Sequence, residues 1–519
     1  MRALMPFSKA TLSARLIPTL FVLLALCARA EDDDRRRVIP IPQQPFAQPV
    51  PEFIGGPATP NPISTTPVPA DPFMAANGRN SLHADAYQSD TYPTAGPLGH
   101  SPTVNSTFLA AECGTVTFDK QGRVLVVCIG VRPVLYLLDP VTLEVLDRLA
   151  LPLGNSNLFG SGGYFFLDQE DRAVIPTRTP DIWRVREVNT RHGTRLMRDH
   201  TCSDDLPTLL GQNQSIQSTF PDSSGLLWFT TSGGPDPTQE PAIIGTALPD
   251  PSNVDHCTIQ LYSLPSGESI VKSFAVDPDP TRGGVFVVSD FRLYRFDAGP
   301  NGVPTLTWQE FYDRGLRVKP GQIVQGSGTT PTLLGTDLVT IADNSPVRMN
   351  VNVYWRAAQI GKPRLLCSVP VFEPFKSDTF NSLVATDKSI TVENNYGYED
   401  LRSTIFGRVT EPGITRIDVD RDSGTCHAVW TNKDERVPNV VSQLSLVSGL
   451  EYTYSKDPGP DGTDAWYFTA VDFKTGATVY KRLAGTGVLY NSNYSGLYLG
   501  PDGRTAYVGV LAGLVRIHE

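Results

Sequence analysis

Residues 491–519 read NSNYSGLYLGPDGRTAYVGVLAGLVRIHE, and this stretch decides the fold. It holds a short apolar strand, a Gly-Pro-Asp-Gly turn, a stronger β-branched strand and a third strand. The same order recurs upstream. The strongest strand of each copy reads RVLVVCIG from Arg123, RAVIPTR from Arg172, LLWFTTS from Leu226 and GVFVVSD from Gly284. It continues as DLVTIADN from Asp337, SITVENN from Ser389, LEYTYSK from Leu450 and RTAYVGV from Arg504. These starts lie roughly 50 to 60 residues apart, the spacing of four-stranded propeller blades with long loops. Inner strands are expected near 114–118, 162–167, 216–220, 271–276, 329–334, 380–385, 444–448 and 495–499. The reading is all-β, a β-propeller of eight blades. The copy near 440 is the weakest, and seven blades are the alternative. Because the last copy has only three strands, residues between 85 and 110 are expected to close the ring, which removes an exposed sheet edge.

Composition agrees. Helical periodicity is nearly absent, and 44 Gly and 44 Pro punctuate short strands across the 519 residues. The formal net charge of -10 excludes nucleic acid as a partner class, since phosphate binding needs a concentrated basic patch. At the N-terminus Arg2, Lys9 and Arg15 precede the apolar run Leu16 to Leu26, which is too short for a mature transmembrane helix. Ala28-Arg29-Ala30 then offers a cleavage site. Residues 1–30 therefore read as a signal peptide, the mature chain as secreted or periplasmic with no integral membrane span. Residues 31–78 carry prolines at 40, 42, 45, 49, 51, 57, 60, 62, 67, 69 and 72 and read as a disordered, mobile linker. Residues 79–103 are expected to pack on or close the ring, and 104–519 to form the propeller.

Six cysteines follow the signal. Cys113 and Cys128 fall on successive strands and suit a cross-strand disulfide. Cys202 and Cys257 lie in loop-like insertions; their pairing would leave Cys367 for Cys426. The alternative is a zinc site of His200, Cys202, His256 and Cys257. An oxidising compartment favours disulfides.

The outer turns Leu138-Asp139-Pro140-Val141-Thr142-Leu143-Glu144 and Val471-Asp472-Phe473-Lys474-Thr475-Gly476-Ala477 share a D-x-x-T-[GL] hairpin. The second resembles the repeat of secreted quinoprotein-like, PQQ-repeat-type propellers. The run Gly500-Pro501-Asp502-Gly503-Arg504-Thr505-Ala506-Tyr507-Val508 resembles a blade shared with the gluconolactonase-like group. Both likenesses cover blades, not active sites. They imply a quinone-cofactor oxidoreductase or a metal-assisted lactonase-like hydrolase. The chain lacks the adjacent Cys-Cys pair and tryptophan-rich docking motifs of quinoprotein dehydrogenases, so PQQ is less expected than Ca²⁺. The gluconolactonase-like propeller is smaller, and its acidic ligand motif is not recognisable here.

In such a ring the loops before each inner strand and after each second strand converge on one end of the channel. Those positions supply candidate ligand-binding residues Asn157, Arg178, Asp290, Thr330, Asn381, Tyr396, Lys456 and Tyr494. Oxygen donors suited to a hard cation such as Ca²⁺ recur at Asp343, Asn344, Glu393, Asn394 and Asn493. The competing reading of these Asn and Asp residues is as turn formers that bond their own backbone. His83, Asp85, Asp90 and His100 precede the first blade, either as a channel cap or as solvated polar residues. No G-x-S-x-G elbow and no phosphate-cradling glycine loop is present. The expected function is an exported propeller that binds a small polar molecule, Ca²⁺ or a protein partner at the central channel, with catalysis unassigned.

Overall fold

The computed structural model describes residues 38–153, 163–177, 179–202, 205–210, 213–250 and 252–519, so the expected signal peptide, Asn157 and Arg178 lie outside the described residues. Eight sheets form eight blades, antiparallel throughout except where Thr91–Tyr92 adds parallel to Gln443–Ser445. Blade 1 runs Glu112–Phe118, Val124–Ile129, Pro133–Leu138 and Val145–Ala150 from the channel outward. The inner strands of blades 2 to 7 are Phe166–Leu167, Ile216–Pro221, Ala275–Val276, Thr332–Leu334, Val384–Ala385 and Gln443–Ser445. Blade 8 contributes Leu497–Leu499, Thr505–Val510 and Gly513–His518. The copy near 440 is a full blade.

The second strands carry the repeat because neighbouring blades cover both of their faces. Leu338–Ala342, Leu450–Lys456 and Thr505–Val510 are buried along their whole length; apolar and β-branched residues run without alternation in the first, whereas the second alternates aromatic with polar side chains. In blades 1, 2, 3 and 8 the turn into this strand is an aspartate device, built on Asp119, Asp168, Asp222 and Asp502. Asp119 accepts from the backbone N–H groups of Gln121 and Arg123 at 2.9 and 2.8 Å, and Gly122 takes the left-handed position at φ 76°.

Ring closure follows the expected route. Thr103–Phe108 pairs antiparallel with Gly513–His518, from Thr103 opposite His518 to Phe108 opposite Gly513, as the outermost strand of blade 8. Three disulfides join Cys113 to Cys128, Cys202 to Cys257 and Cys367 to Cys426. The first ties strands of one blade. The other two staple blade 2 to blade 3 and blade 5 to blade 6. The sulfurs that a zinc site would need are thus committed to bonds.

The segment before the ring was the larger departure from expectation. Residues 38–78 do not behave as a mobile tether; they form a strap along the propeller. Phe53–Gly55 pairs with the outer strand of blade 7. Asn61 and Ile63 donate to the carbonyls of Ser448 and Leu446 at 2.8 and 2.9 Å. Thr65 and Thr66 hold the carboxylate of Asp387. Proline fixes an extended φ and removes a donor, which prevents the strap from building its own sheet but not from lying along another surface. The composition argument assumed that this stretch must bury a core of its own, whereas it uses that of the ring.

Residues 79–92 then enter the channel and circle inside it. The inner strand of a blade exposes backbone N–H groups toward the channel axis, and the carbonyls of this plug accept them. Phe118, Leu167, Val276, Leu333, Ala385 and Leu444 donate to Arg79, Asn80, Ala86, Tyr87, Ser89 and Asp90, at distances from 2.8 to 3.0 Å. Six of the eight blades are engaged. The tight curvature needs left-handed backbone at Ala84, Gln88 and Asp90. Asp85 and Asp90, read as cap or solvated residues, are buried inside the ring with His83.

Two stability predictions follow from this packing. Burial pushes the carboxyls of Asp85 in the plug and Glu451 in blade 7 up to about 7, against opposing hydrogen bonds from Ser89 and Thr391. A carboxyl raised in the folded state contributes stability below its unfolded pKa and loses it as pH rises through the folded pKa. Denaturant midpoints should therefore fall between about pH 4.5 and 7, by up to about 3 kcal/mol per group, and Glu451→Gln should flatten that slope. Replacing Cys367 and Cys426 by Ser opens a link across 59 residues and should lower stability by about 4 kcal/mol, read by equilibrium unfolding.

Candidate functional site

The strap and plug close one end of the channel, which leaves a blind cavity of about 570 Å³ at the other. Its floor is Leu82 and His83 of the plug. Its wall comes from the loops before the inner strands: Glu112 of blade 1, Lys272 of blade 4, Asn381 and Ser382 of blade 6, and Asn493 and Tyr494 of blade 8.

Lys272 is the cation of this wall. Its Nζ donates to the carbonyl of Phe380 at 2.6 Å and stands 3.4 Å from the centre of the Phe380 ring. Among the described residues no carboxylate pairs with it, and burial holds its ammonium well below the usual lysine range. Glu112 is the matching acid on the other side. It accepts from Asn493 Nδ2 at 3.0 Å, and burial raises it to about 7 against that bond. Asn493 also accepts from the Tyr398 hydroxyl at 2.8 Å. Asn493 and Tyr494 are consecutive left-handed residues, at φ 44° and 70°, so the last loop is strained where it meets the cavity. Tyr494 sits edge-on to Phe380 and Tyr398.

On the floor, His83 Nδ1 lies 2.9 and 3.1 Å from the two oxygens of Asp90. Its Nε2 lies 3.4 Å from Thr330 Oγ1 and 3.3 Å from Ser382 Oγ. Tyr164 stacks on the imidazole. Asp90 also accepts from Gln443 Nε2 at 2.9 Å. Burial raises Asp90, and His83 and Gln443 hold it down.

Of the residues picked from sequence, Asn381, Asn493 and Tyr494 meet at the cavity. Glu393 stands behind Asn381, accepting its amide at 3.1 Å, and Thr330 lies under His83. The rest do not join them. Asp343 accepts from the backbone and side chain of Asn350, from Ser345 and from Asn352. Asn344 donates to the carbonyls of Arg314 and Arg317, and Asn394 to those of Lys376 and Pro412. Asp343 closes its own hairpin, whereas the amides of Asn344 and Asn394 tie their loops to neighbouring segments. Asp290 ties Ser269 to Arg314, and Lys456 is paired with Asp464 inside blade 7. Tyr396 lies in the loop beyond Glu393, away from the cavity wall. The five donors expected to cage a cation are thus not one cluster. Among the described residues no group of three or more His, Cys, Asp or Glu is placed to hold a metal. Glu112, Lys272 and Ser382 were missed, although each stands at or just before an inner strand, the position the blade alignment singles out.

No protein-family model matches the chain, and no curated protein matches it. Among the described residues no helix is long and apolar enough to cross a membrane. Solved structures share the propeller architecture. Sqt1 of Chaetomium thermophilum, bound to the N-terminus of ribosomal protein L10, aligns at a TM-score of 0.46 and 12% identity over 77% of this chain and 93% of that one. BamB of Moraxella catarrhalis aligns at 0.43 and 11%, over 80% and 97%. A 6-phosphogluconolactonase-annotated protein of Bacteroides fragilis aligns at 0.38 and 12%, over 63% and 83%. These likenesses concern the fold alone.

The two classes of residue should separate on mutation. Asn394→Ala breaks two amide-to-carbonyl bonds and should lower stability by about 1 to 3 kcal/mol in chemical denaturation. Lys272→Met removes a buried ammonium with a single acceptor and should leave the melting temperature unchanged or raise it.

Proposed function

We propose that the protein is an exported propeller that binds a small polyhydroxylated carboxylate in the blind cavity. The observation that carries this reading is the Lys272 amine, buried at the cavity wall with the Phe380 carbonyl as its one acceptor among the described residues. A ligand carboxylate supplies the missing counter-charge, and charge-assisted hydrogen bonds are the stronger kind. Glu112, Asn381 and Asn493 across the wall offer acceptors and donors for hydroxyl groups, and the Tyr494 ring offers an apolar edge. The volume lies in the usual range for small-ligand sites. The three disulfides support the export part of the reading, because such bonds persist in oxidising compartments. A Ca²⁺ cage is not part of it, since Asp343 is spent on its own hairpin and the amides of Asn344 and Asn394 on ties between loops.

Calorimetric titration with galacturonate and gluconate against galactose and glucose tests this. The acids should bind, the neutral sugars about tenfold or more weakly, and Lys272→Met should erase the difference. Affinity for the acids should fall as pH rises through the lowered lysine pKa, because the uncharged amine no longer attracts a carboxylate. Equal binding of acids and neutral sugars, or none of either, would sink the assignment.

A further inference from the structure

From the contacts of His83 we infer that Ser382, His83 and Asp90 form an acyl-transfer relay at the cavity floor, which hydrolyses an open or cyclic ester. The inference rests on the cavity being a ligand site, as proposed above. His83 is 1% exposed and Asp90 fully buried, so the pair is fixed inside the protein. With Asp90 accepting from Nδ1–H, the tautomer leaves Nε2 bare, directed at two hydroxyls. Thr330 is fully buried and is not part of the cavity wall, whereas Ser382 is half-buried and lines it. The hydroxyl a substrate can reach is therefore that of Ser382. Geometry and roles identify such a relay, not chain order, and no strand-to-helix elbow is required when the serine sits in a propeller loop. The imidazole arrives on the plug, 299 residues away in sequence from its serine.

The chemistry balances with water alone. Ser382 Oγ bonds to the acyl carbon as its proton passes to His83 Nε2, and Asp90 stabilises the resulting imidazolium. The ester C–O bond breaks, and the leaving alcohol oxygen takes that proton. Water then attacks the acyl-serine, its proton passing through His83 to Ser382, and a carboxylic acid is released. Lys272 overlies Phe380, two residues before Ser382, and is the single Lys or Arg among the described lining residues. It is placed to favour negative charge on the acyl oxygen and to hold the carboxylate product. Asp90 is a positioning residue.

The test is labelling of the full chain with a fluorophosphonate probe, followed by peptide mapping, alongside turnover of p-nitrophenyl acetate. One adduct on Ser382 is expected. Ser382→Ala should lose the adduct and at least about a hundredfold of the turnover. Asp90→Asn should lower kcat and the labelling rate at Ser382 while leaving the KM for p-nitrophenyl acetate unchanged, which a purely structural role would not do. No adduct on the folded protein, or an adduct that survives Ser382→Ala, overturns the relay. Ser382→Ala should still bind sugar acids. Failed labelling with intact binding removes the relay alone, whereas labelling at Ser382 without sugar-acid binding removes the ligand assignment and leaves the relay standing.

Discussion

Backbone hydrogen-bond satisfaction at the channel wall is the constraint on which this molecule depends. A propeller presents the edge of every inner strand to its own axis, and an unpaired N–H there is either solvated or matched by other chain. Here residues 79–92 match six of them, one blade after another. A segment that bonds to six blades at once fixes their mutual rotation far more firmly than neighbour contacts alone. The outer closure by Thr103–Phe108 and the two inter-blade disulfides act on the rim, where lever arms are longest.

The plug also decides what kind of site the ring can have. An open channel would place a ligand in water from both sides. Sealed by plug and strap, it becomes a pocket with one mouth, in which desolvation strengthens every polar contact. The plug brings its own polar groups into that interior. Asp85 is bonded by Ser89 within the plug, while Asp90 reaches both His83 and Gln443 of blade 7. An imidazole held by a buried carboxylate is thereby delivered to a floor that no blade could have furnished.

The architecture was legible in the sequence because blades repeat. A periodic signal is read eight times, so the weak copy near 440 was rescued by its neighbours, and the incomplete last blade announced its partner strand. The Cys113–Cys128 bridge was suggested by their place on successive strands, whereas the other two pairings stayed open beside a zinc site, because which loops meet depends on how blades pack. Two other things were not legible. The strap and plug occur once, have no repeat to average over, and derive their order from the ring rather than from their own composition. The cavity residues were obscured by chemistry shared with turns. Asp343 and Asn394 look like ligands in sequence because the property that suits them to a cation, a short side chain rich in oxygen, also suits them to bond loop backbone. Lys272 and Glu112 carried a clearer signal, a charge at the threshold of an otherwise apolar inner strand. It was passed over in favour of Asn, Asp and Glu residues, whose oxygens suggested a cation site.

Charges at the cavity also bear on why the site is stable enough to exist. Lys272 and Glu112 line one pocket without a counter-ion for either among the described residues, an arrangement that destabilises the empty protein. In isolation neither would be tolerated on packing grounds, and an apolar residue would serve the wall better. On the proposed reading, a ligand bearing a carboxylate and hydroxyls would remove both penalties at once, and its binding energy would include that relief. The left-handed pair Asn493-Tyr494, which keeps Asn493 against Glu112, is part of the same reserve. Rigidity supplied by the plug and the inter-blade bonds is what lets the mouth of the channel hold unfavourable groups in place until a partner neutralises them.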